Sequence, residues 1–426
     1  MRTMKDSGIE WIGKIPEGWE LRRIKTNFDI IAGATPKSGE ASFWDGDIPW
    51  ITPADYTTEG IYVSAGHKSI THDGLNSCAT SLIPEGSIIF SKRAPVGLVA
   101  INSNPLCTNQ GCLSCVPKDS VDAKYFYYVM SIYGEQFDLF ASGTTFKEIS
   151  ADAFANFKLP YPDYETQKRI TSFLDTKCAE IDALIAAKER TNALLKERRQ
   201  SIIYEAVTKG LDPTVHMKDS GVEWIGEIPE EWSVCRIKRV AEIVTGNTPS
   251  KASGDLNYSD DGLMWVKPDN LLGNVPVKDT SEHLSDDGCM LAKVVPANTP
   301  LTCCIGTIGK VGYSEKAVAF NQQINAICFE ESVDTRFGLY CLMAQDEQQK
   351  CFANGNVLKI LNAEAQGRLF IAIPSLSEQR IIAEHLDMQC QMIDENCAAN
   401  NVTIQKLKEY RQSLIYEAVT GKIEID

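Results

Sequence analysis

MKDSGIEWIGKIPEGWELRRIK stands at residues 4–25, and MKDSGVEWIGEIPEEWSVCRIK stands at 217–238. The ends of the two halves match as their beginnings do. LLKERRQSIIYEAVTKG at 194–210 answers KLKEYRQSLIYEAVTGK at 406–422, with Tyr416 following Tyr204 by 212 positions (416 − 204). Two copies of one unit of that length fill the 426-residue chain. So long a period is domain duplication, since solenoid repeats recur every ~20–50 residues. Between the matched ends the copies keep only a skeleton: GATP at 33–36 against GNTP at 246–249, PWITPAD at 49–55 against MWVKPDN at 264–270, and TNQGC at 108–112 against FNQQI at 320–324. The ends behave as a shared frame, and the middles as two readers of different things.

The frame includes two long helices. Helix breakers are almost absent between Pro162 and Gly210, and absent between Pro374 and Gly421. Ser375 and Glu378 form an S-x-x-E capping box, with Asp163 and Thr166 as a weaker counterpart. Gly210 and Gly421 stand where a helix C-terminal glycine belongs. The spacing predicts roughly 43 residues per helix, about 65 Å at 1.5 Å per residue. Apolar residues recur every seventh position: Leu174, Ile181, Leu195 and Ile202 on one helix, and Leu386, Ile393, Leu407 and Leu414 on the other, flanked by Ile170, Ile185, Ile382 and Ile404. Such a seam calls for a partner helix, and the matching polar breaks Lys188 and Asn400 suit a layer that fixes register. Duplicated helices of equal length most simply pair antiparallel with each other, under an approximate two-fold axis.

The expected fold class is α+β, with two β-rich mixed domains joined by two long antiparallel coiled-coil helices. The expected boundaries are a frame segment at 1–23, a first domain at 24–160, a helix at 163–210, a second frame segment at 211–235, a second domain at 236–373, and a helix with tail at 375–421. Within the domains, SLIPEGSIIFSKRAPVGLVAI and NTPLTCCIGTIGKVGYS predict strand–turn–strand. VDAKYFYYVMSIYGEQFDLF and RFGLYCLMAQDEQQKCF predict amphipathic helices.

Composition narrows the function classes. No apolar run approaches the ~18–20 residues that span a bilayer, and MRTMKDSGIEW lacks a signal-peptide core, so a cytoplasmic chain is expected. Fourteen cysteines without regular spacing fit free thiols in a reducing compartment. Five scattered histidines (His67, His72, His216, His283, His385) show no metal-ligand pairing. Cys112 and Cys115 make a lone C-x-x-C, whose side chains point to opposite faces of a strand. GATPKSG and GNTPSKASG are not Walker A loops, and no G-x-G cosubstrate loop or N-P-P-[YF] motif is present. The chain is expected to catalyse nothing itself and to hold no cofactor or metal.

Order and duplication together identify a family. The paired MKDSGxEWIGxIPExW openings, the GxTP turns, the NQ before a strand, and the helices closing with YEAVT resemble the specificity (HsdS) subunit of type I restriction–modification systems over the whole chain. The resemblance implies that each middle is a target recognition domain reading half of a split, asymmetric double-stranded DNA sequence, with the helices as spacer. It also implies two modification subunits that carry S-adenosylmethionine and methylate adenine, and restriction subunits with an ATP-driven, Mg-dependent translocase and nuclease. All those cofactors belong to the partners.

A net charge of −15 sits uneasily with DNA, but contact needs only local basic side chains. Lys37, Lys68, Lys92, Arg93 and Lys147 in the first middle, and Lys251, Lys267, Lys310 and Lys359 in the second, lie in predicted loops or strand ends. Arg93 and Lys310 are the foremost candidates for phosphate or base-edge contact. Thr35, Ser38, Thr248 and Ser250 near the GxTP turns are polar candidates. Trp11, Trp19, Trp224 and Trp232 recur either to dock a modification subunit or to pack the base of each domain. The helix surfaces near Tyr204 and Tyr416 are further candidates for partner contact. The alternative to DNA recognition is a duplicated coiled-coil scaffold that binds proteins, which the acidic balance favours.

The charge balance generates a prediction. The isolated chain should bind DNA weakly, with tight sequence-specific binding appearing only when modification subunits add basic surface. Titration of labelled DNA at physiological salt, with and without those subunits, checks this; nanomolar specific binding by the chain alone would contradict it.

Overall fold

Nothing between Pro162 and Gly210 interrupts helical hydrogen bonding, and in the computed structural model one helix runs Tyr164–Lys209, its counterpart Leu376–Val419. The structure describes residues 2–56, 60–142, 147–250, 255–355 and 359–425. Both helices end on glycines with left-handed φ, +75° at Gly210 and +67° at Gly421, where a side chain would be strained. At the first helix start the Thr166 N–H and hydroxyl donate to the Asp163 carboxylate at 2.9 and 2.8 Å. At the second, the Glu378 N–H donates to Ser375 Oγ at 3.3 Å. The return half of that capping box is not made, because Glu378 Oε2 instead accepts the indole N–H of Trp232 at 3.1 Å. Trp232 is buried at the helix start, and a buried indole N–H takes a partner when one is in reach.

The chain divides into two compact units, one of Met1–Ala187 with Val402–Asp426 and one of Lys188–Asn401. Each therefore holds one globular domain and a length of both long helices. No helix among the described residues is long and apolar enough to cross a membrane.

In the first unit a sheet has the order Phe28–Ala32, Cys112–Pro117, Ile88–Ser91, Val99–Asn102, Tyr62–Val63. Its pairings are antiparallel except the last. A second sheet places Trp44–Ile51 between Cys107–Thr108, parallel, and Lys68–Ile70, antiparallel. Strand alternation sends Cys115 and Leu113 into the large core beside the helices, and Cys112 into a smaller cluster with Ile51, Tyr56 and Ile89. Both thiols are free, and burial pushes Cys112 up to about 12.

The second unit repeats this plan. Ala241–Thr245, Ile324–Phe329, Leu301–Cys303 and Val311–Gly312 form one sheet. In the other, Tyr258–Val266 lies between His283–Leu284, antiparallel, and Val318–Phe320, parallel. The long strand is bulged in both units, between Trp44 and Ile48 and between Tyr258 and Leu263.

The helices after the strand pairs are Ala123–Ser131 and Thr335–Met343. The expected segments each continue into a second helix, Gly134–Leu139 and Asp346–Phe352, with an exposed side, whereas in the first helix Tyr125 to Met130 are all buried, enclosed between the sheet and the long helix. Two polar joints fix it there. Gln167 and Gln379 are fully buried. Gln167 accepts from the Asp122 N–H at 2.9 Å and donates to the Pro162 carbonyl at 2.9 Å. Gln379 accepts from the Asp334 N–H at 2.7 Å and donates to the Ser332 and Pro374 carbonyls at 3.1 and 3.0 Å. Two turns further on, Asp175 accepts from the Tyr128 hydroxyl and Lys124, both at 2.7 Å. Asp387 likewise accepts from the Tyr340 hydroxyl and from Arg336 Nε at 2.9 Å.

The helices pair antiparallel. In the first unit Ile170, Leu174 and Ile181 pack in one core with Leu414 and Ile415, while Arg411 Nε meets Asp182 at 3.1 Å. In the second unit Lys188 Nζ donates to Asn400 Oδ1 at 3.1 Å, Asn400 to Asn192 at 2.9 Å, and Asn192 to Asn401 at 2.9 Å. The two polar breaks thus meet, in a layer that also recruits Asn192 and Asn401.

Gln379→Ala takes the side-chain partner from the Asp334 N–H and from the buried Pro374 carbonyl. At roughly 1–3 kcal/mol per orphaned group, unfolding should become easier by about 2–6 kcal/mol. Urea denaturation beside Gln405→Ala, a surface change expected within ~0.5 kcal/mol, tests this.

Candidate nucleic-acid interface

The three motifs that survive in both middles come together at one place in each unit. In the first, the Gly33 N–H donates to the Cys112 carbonyl at 3.3 Å and the Ala34 N–H to the Thr108 carbonyl at 3.0 Å. The Trp50 indole donates to the Ala34 carbonyl at 3.0 Å, and the Asn109 N–H to the Ile51 carbonyl at 2.9 Å. In the second, Gly246 and Asn247 donate to the Ile324 and Phe320 carbonyls at 3.0 and 3.1 Å. Trp265 donates to the Asn247 carbonyl at 3.4 Å, and the Asn321 N–H to the Val266 carbonyl at 3.0 Å. Glycine is required by close approach: a Cβ on Gly33 would overlap the Thr108 and Asn109 carbonyls, and one on Gly246 those of Phe320 and Asn321.

On this base each unit presents a threonine bonded to a glutamine, Thr35 to Gln110 and Thr248 to Gln322. Both glutamines are exposed. The neighbours differ. In the first unit Lys37 is exposed on the turn, and Lys68, opposite Trp50, lies 5.2 Å from the Trp44 ring. His67 beside it is held by Asp55, whose Oδ1 accepts from the His67 N–H at 2.8 Å. In the second unit Lys267 pairs with Glu282 and sits 5.0 Å from the Trp265 ring.

The other basic candidates lie elsewhere. Lys92 and Arg93 both close on Glu148, at 2.7 and 2.8 Å, and Lys147 on Asp138 at 2.5 Å. The hydrogen bond from Lys92 holds the Glu148 carboxyl below its usual value. Arg93, a foremost candidate from the sequence, therefore has its charge matched by an acid 55 residues away. Lys310 lines a cavity of about 600 Å³ with Arg199, Lys350, Asp346 and Met343. Lys359 is exposed beside Ile360, which bridges to Ile305 where the first unit has Glu148 and Arg93. Lys251 lies outside the described residues. Ser38 is exposed, and Ser250 accepts the Asn257 side-chain N–H at its carbonyl, 2.8 Å away.

The tryptophans of the repeat pack within their own units. Trp19 and Trp232 are each 2% exposed and offer no ring face to a partner. Trp11 stacks on Phe157 with centroids 5.9 Å apart, and Trp224 is half-buried against the second core. Tyr416 donates to the Trp11 and Ile12 carbonyls at 3.3 and 3.1 Å, and Tyr204 to the Trp224 and Ile225 carbonyls at 2.9 and 3.3 Å. Each hydroxyl thus pins a frame segment to the end of a helix. Among the described residues no three His, Cys, Asp or Glu side chains gather as a metal site.

Gln110 and Gln322 of the NQ motifs, with Gln167, Gln379, Asp175 and Asp387, are not among the residues expected from the sequence. Their signal was retention at the repeat offset of 212.

A duplicated α+β domain fixed to a long helix, with a Thr–Gln platform at its edge in each unit, is the build of a protein that recognises sequence. The type I restriction modification DNA specificity domain matches residues 16–195 and again 229–406, and the chain belongs to that family. It is 27% identical to the MjaIX type I restriction enzyme specificity subunit of Methanocaldococcus jannaschii, over 97% of this chain and 96% of that protein. It is 22% identical to the EcoBI specificity subunit of Escherichia coli, over 99% of this chain and 90% of that one. Its fold is similar to a chain solved in a study of complex assembly and conformational transition of the type I R-M system, with TM-score 0.75 and 16% identity over 96% of this chain and 99% of that chain. The HsdS subunit from Thermoanaerobacter tengcongensis follows with TM-score 0.54 and 16% identity over 96% and 98%.

Gly246→Ala should push the GNTP turn off its strand at a cost of about 1–3 kcal/mol. Hydrogen exchange should quicken at Gly246, Asn247 and Asn321 and stay unchanged in the first unit. Gly39→Ala, which meets nothing within 4 Å, should leave exchange as it is.

Proposed function

We propose that this chain supplies the sequence specificity of a type I restriction–modification complex, each unit reading one half of a split, asymmetric DNA target. The observation that carries this is the duplicated Thr–Gln platform, common in construction and different in its charged surroundings, inside two matched specificity domains. Lys37, Lys68 and Lys267 are the basic candidates beside the platform. Lys310 and Lys359 are secondary ones. Lys92, Arg93 and Lys147 would have to leave their carboxylates to reach phosphate.

The frame is the docking surface for two copies of a modification subunit, since the Tyr204 and Tyr416 clamps give the same surroundings twice. Restriction subunits join that assembly. S-adenosylmethionine, ATP and Mg²⁺ are assigned to the partners, which leaves recognition and spacing to this chain. The length of the paired helices sets the unread gap.

Co-expression with an adenine-methylating subunit, followed by single-molecule sequencing, should reveal methylation at a split motif with two different halves; a continuous motif, or none, would overturn the reading. Inserting one heptad into both helices, after Lys188 and after Asn400, adds about 10 Å while keeping the seam. The gap should lengthen by up to about three base pairs at ~3.4 Å each, with both halves unchanged. An active variant with the original gap would remove the spacer role.

A further inference from the structure

The platform invites a question about what two different readers have in common. Around the Thr–Gln pair the charged and polar neighbours are exchanged: Lys37 against Ser250, Thr52 against Lys267. Lys68, opposite Trp50, is replaced by Glu282, whose carbonyl accepts from the Trp265 N–H at 3.2 Å. The pair itself is retained, as are the glycine and indole beneath it. A retained element in two different readers meets a feature that both half-sites share.

Phosphates are one such feature. A phosphate only accepts, so it engages the carboxamide N–H alone and leaves the amide oxygen unused, and the cations beside the two platforms stand at different positions. The shared group is a neutral carboxamide, which pairs with the N6 and N7 edge of adenine through two hydrogen bonds in the major groove. An amide oxygen has two lone pairs. The threonine hydroxyl takes one at Oε1, leaving the other for the adenine N6–H and an Nε2–H for N7.

Resting on the reading that each unit recognises half of a DNA target, we propose that Gln110 and Gln322 each read an adenine, one in each half-site, with Thr35 and Thr248 as positioning residues that fix the amide orientation. The rigid base serves this contact, since a bidentate pair needs the amide plane held against the base plane. The carbonyls of Ala34 and Asn247, fixed by indole N–H groups, leave the turn carrying the threonine little freedom.

The test uses the full chain with its modification subunits and maps methylated sites for wild type, Gln110→Ala, Gln322→Ala, Gln110→Glu and Thr35→Val. Gln110→Ala should lower discrimination for A·T at one position of one half by about 10- to 100-fold and leave the other half as it was; Gln322→Ala should do the converse. Gln110→Glu, which only accepts, should move preference at the same position toward cytosine with its N4 donor, a gain that a folding defect cannot imitate. Thr35→Val should weaken discrimination at that position alone. Uniformly lower methylation with an unchanged motif in both glutamine variants would overturn the proposal, as would a wild-type motif whose halves share no A·T pair. A wild type marking no split target would instead bring down the underlying reading.

Discussion

The rest of the structure depends on a buried glutamine at the start of each long helix. Gln167 and Gln379 satisfy backbone groups on both sides of a junction that neither helix nor sheet could satisfy alone. A buried peptide group without a partner costs about 1–3 kcal/mol, so the junction closes only in the one geometry that pairs them all. Aspartates two turns on, Asp175 and Asp387, repeat the device with charge, drawing a tyrosine hydroxyl and a cation onto the helix. Burial and the neighbouring carboxylate raise the ionisation of Tyr128 and Tyr340 well beyond the usual phenol range, so both hydroxyls stay as donors at any physiological pH. Each reader is therefore fixed rigidly to its own helix.

That rigidity is confined to one side of each domain. The cores that join helix, frame and domain contain Trp19, Leu174 and Tyr125 in one unit and Trp232, Leu386 and Tyr340 in the other. The platform rests on separate small clusters, around Trp50 and Ile51 in the first unit and around Trp265 and Val266 in the second. A substitution at the platform edge disturbs a few residues there and leaves the joint intact. This separation explains how two middles with little sequence in common share a fold.

Much of the architecture was legible because periodicity and repetition are properties of the chain itself. The heptads, the terminal glycines and the meeting of Lys188 with Asn400 follow from spacing. Polar residues were harder to read, because a buried glutamine and an exposed one look alike until the surrounding backbone is known. Arg93 stood out in a turn between strands, and nothing local revealed that Glu148 would neutralise it. Glu378 fitted a capping box on spacing alone, yet an indole from residue 232 competes for its oxygen. The expected amphipathic segments are helical, but their first halves are more enclosed than a period of one buried face predicts, since Lys124 and Arg336 turn their charge onto the long helix rather than to solvent. Offset comparison between the two copies would have flagged Gln167, Asp175 and Gln110, since each survives where most neighbours have changed.

The acidic balance takes on meaning when the ion pairs are placed. Lys92, Arg93 and Lys147 are held by carboxylates of their own unit, and Lys267 by Glu282. Such exposed pairs add at most ~1 kcal/mol to stability, so they matter little to folding. Their effect is on encounter: a cation already matched releases no phosphate counterions until its carboxylate is displaced. Non-specific attraction is thereby lowered while neutral donors and acceptors on the platform keep their reach. Under the proposed function, recognition rests first on hydrogen-bond geometry, and much of the electrostatic attraction is left to the partner subunits.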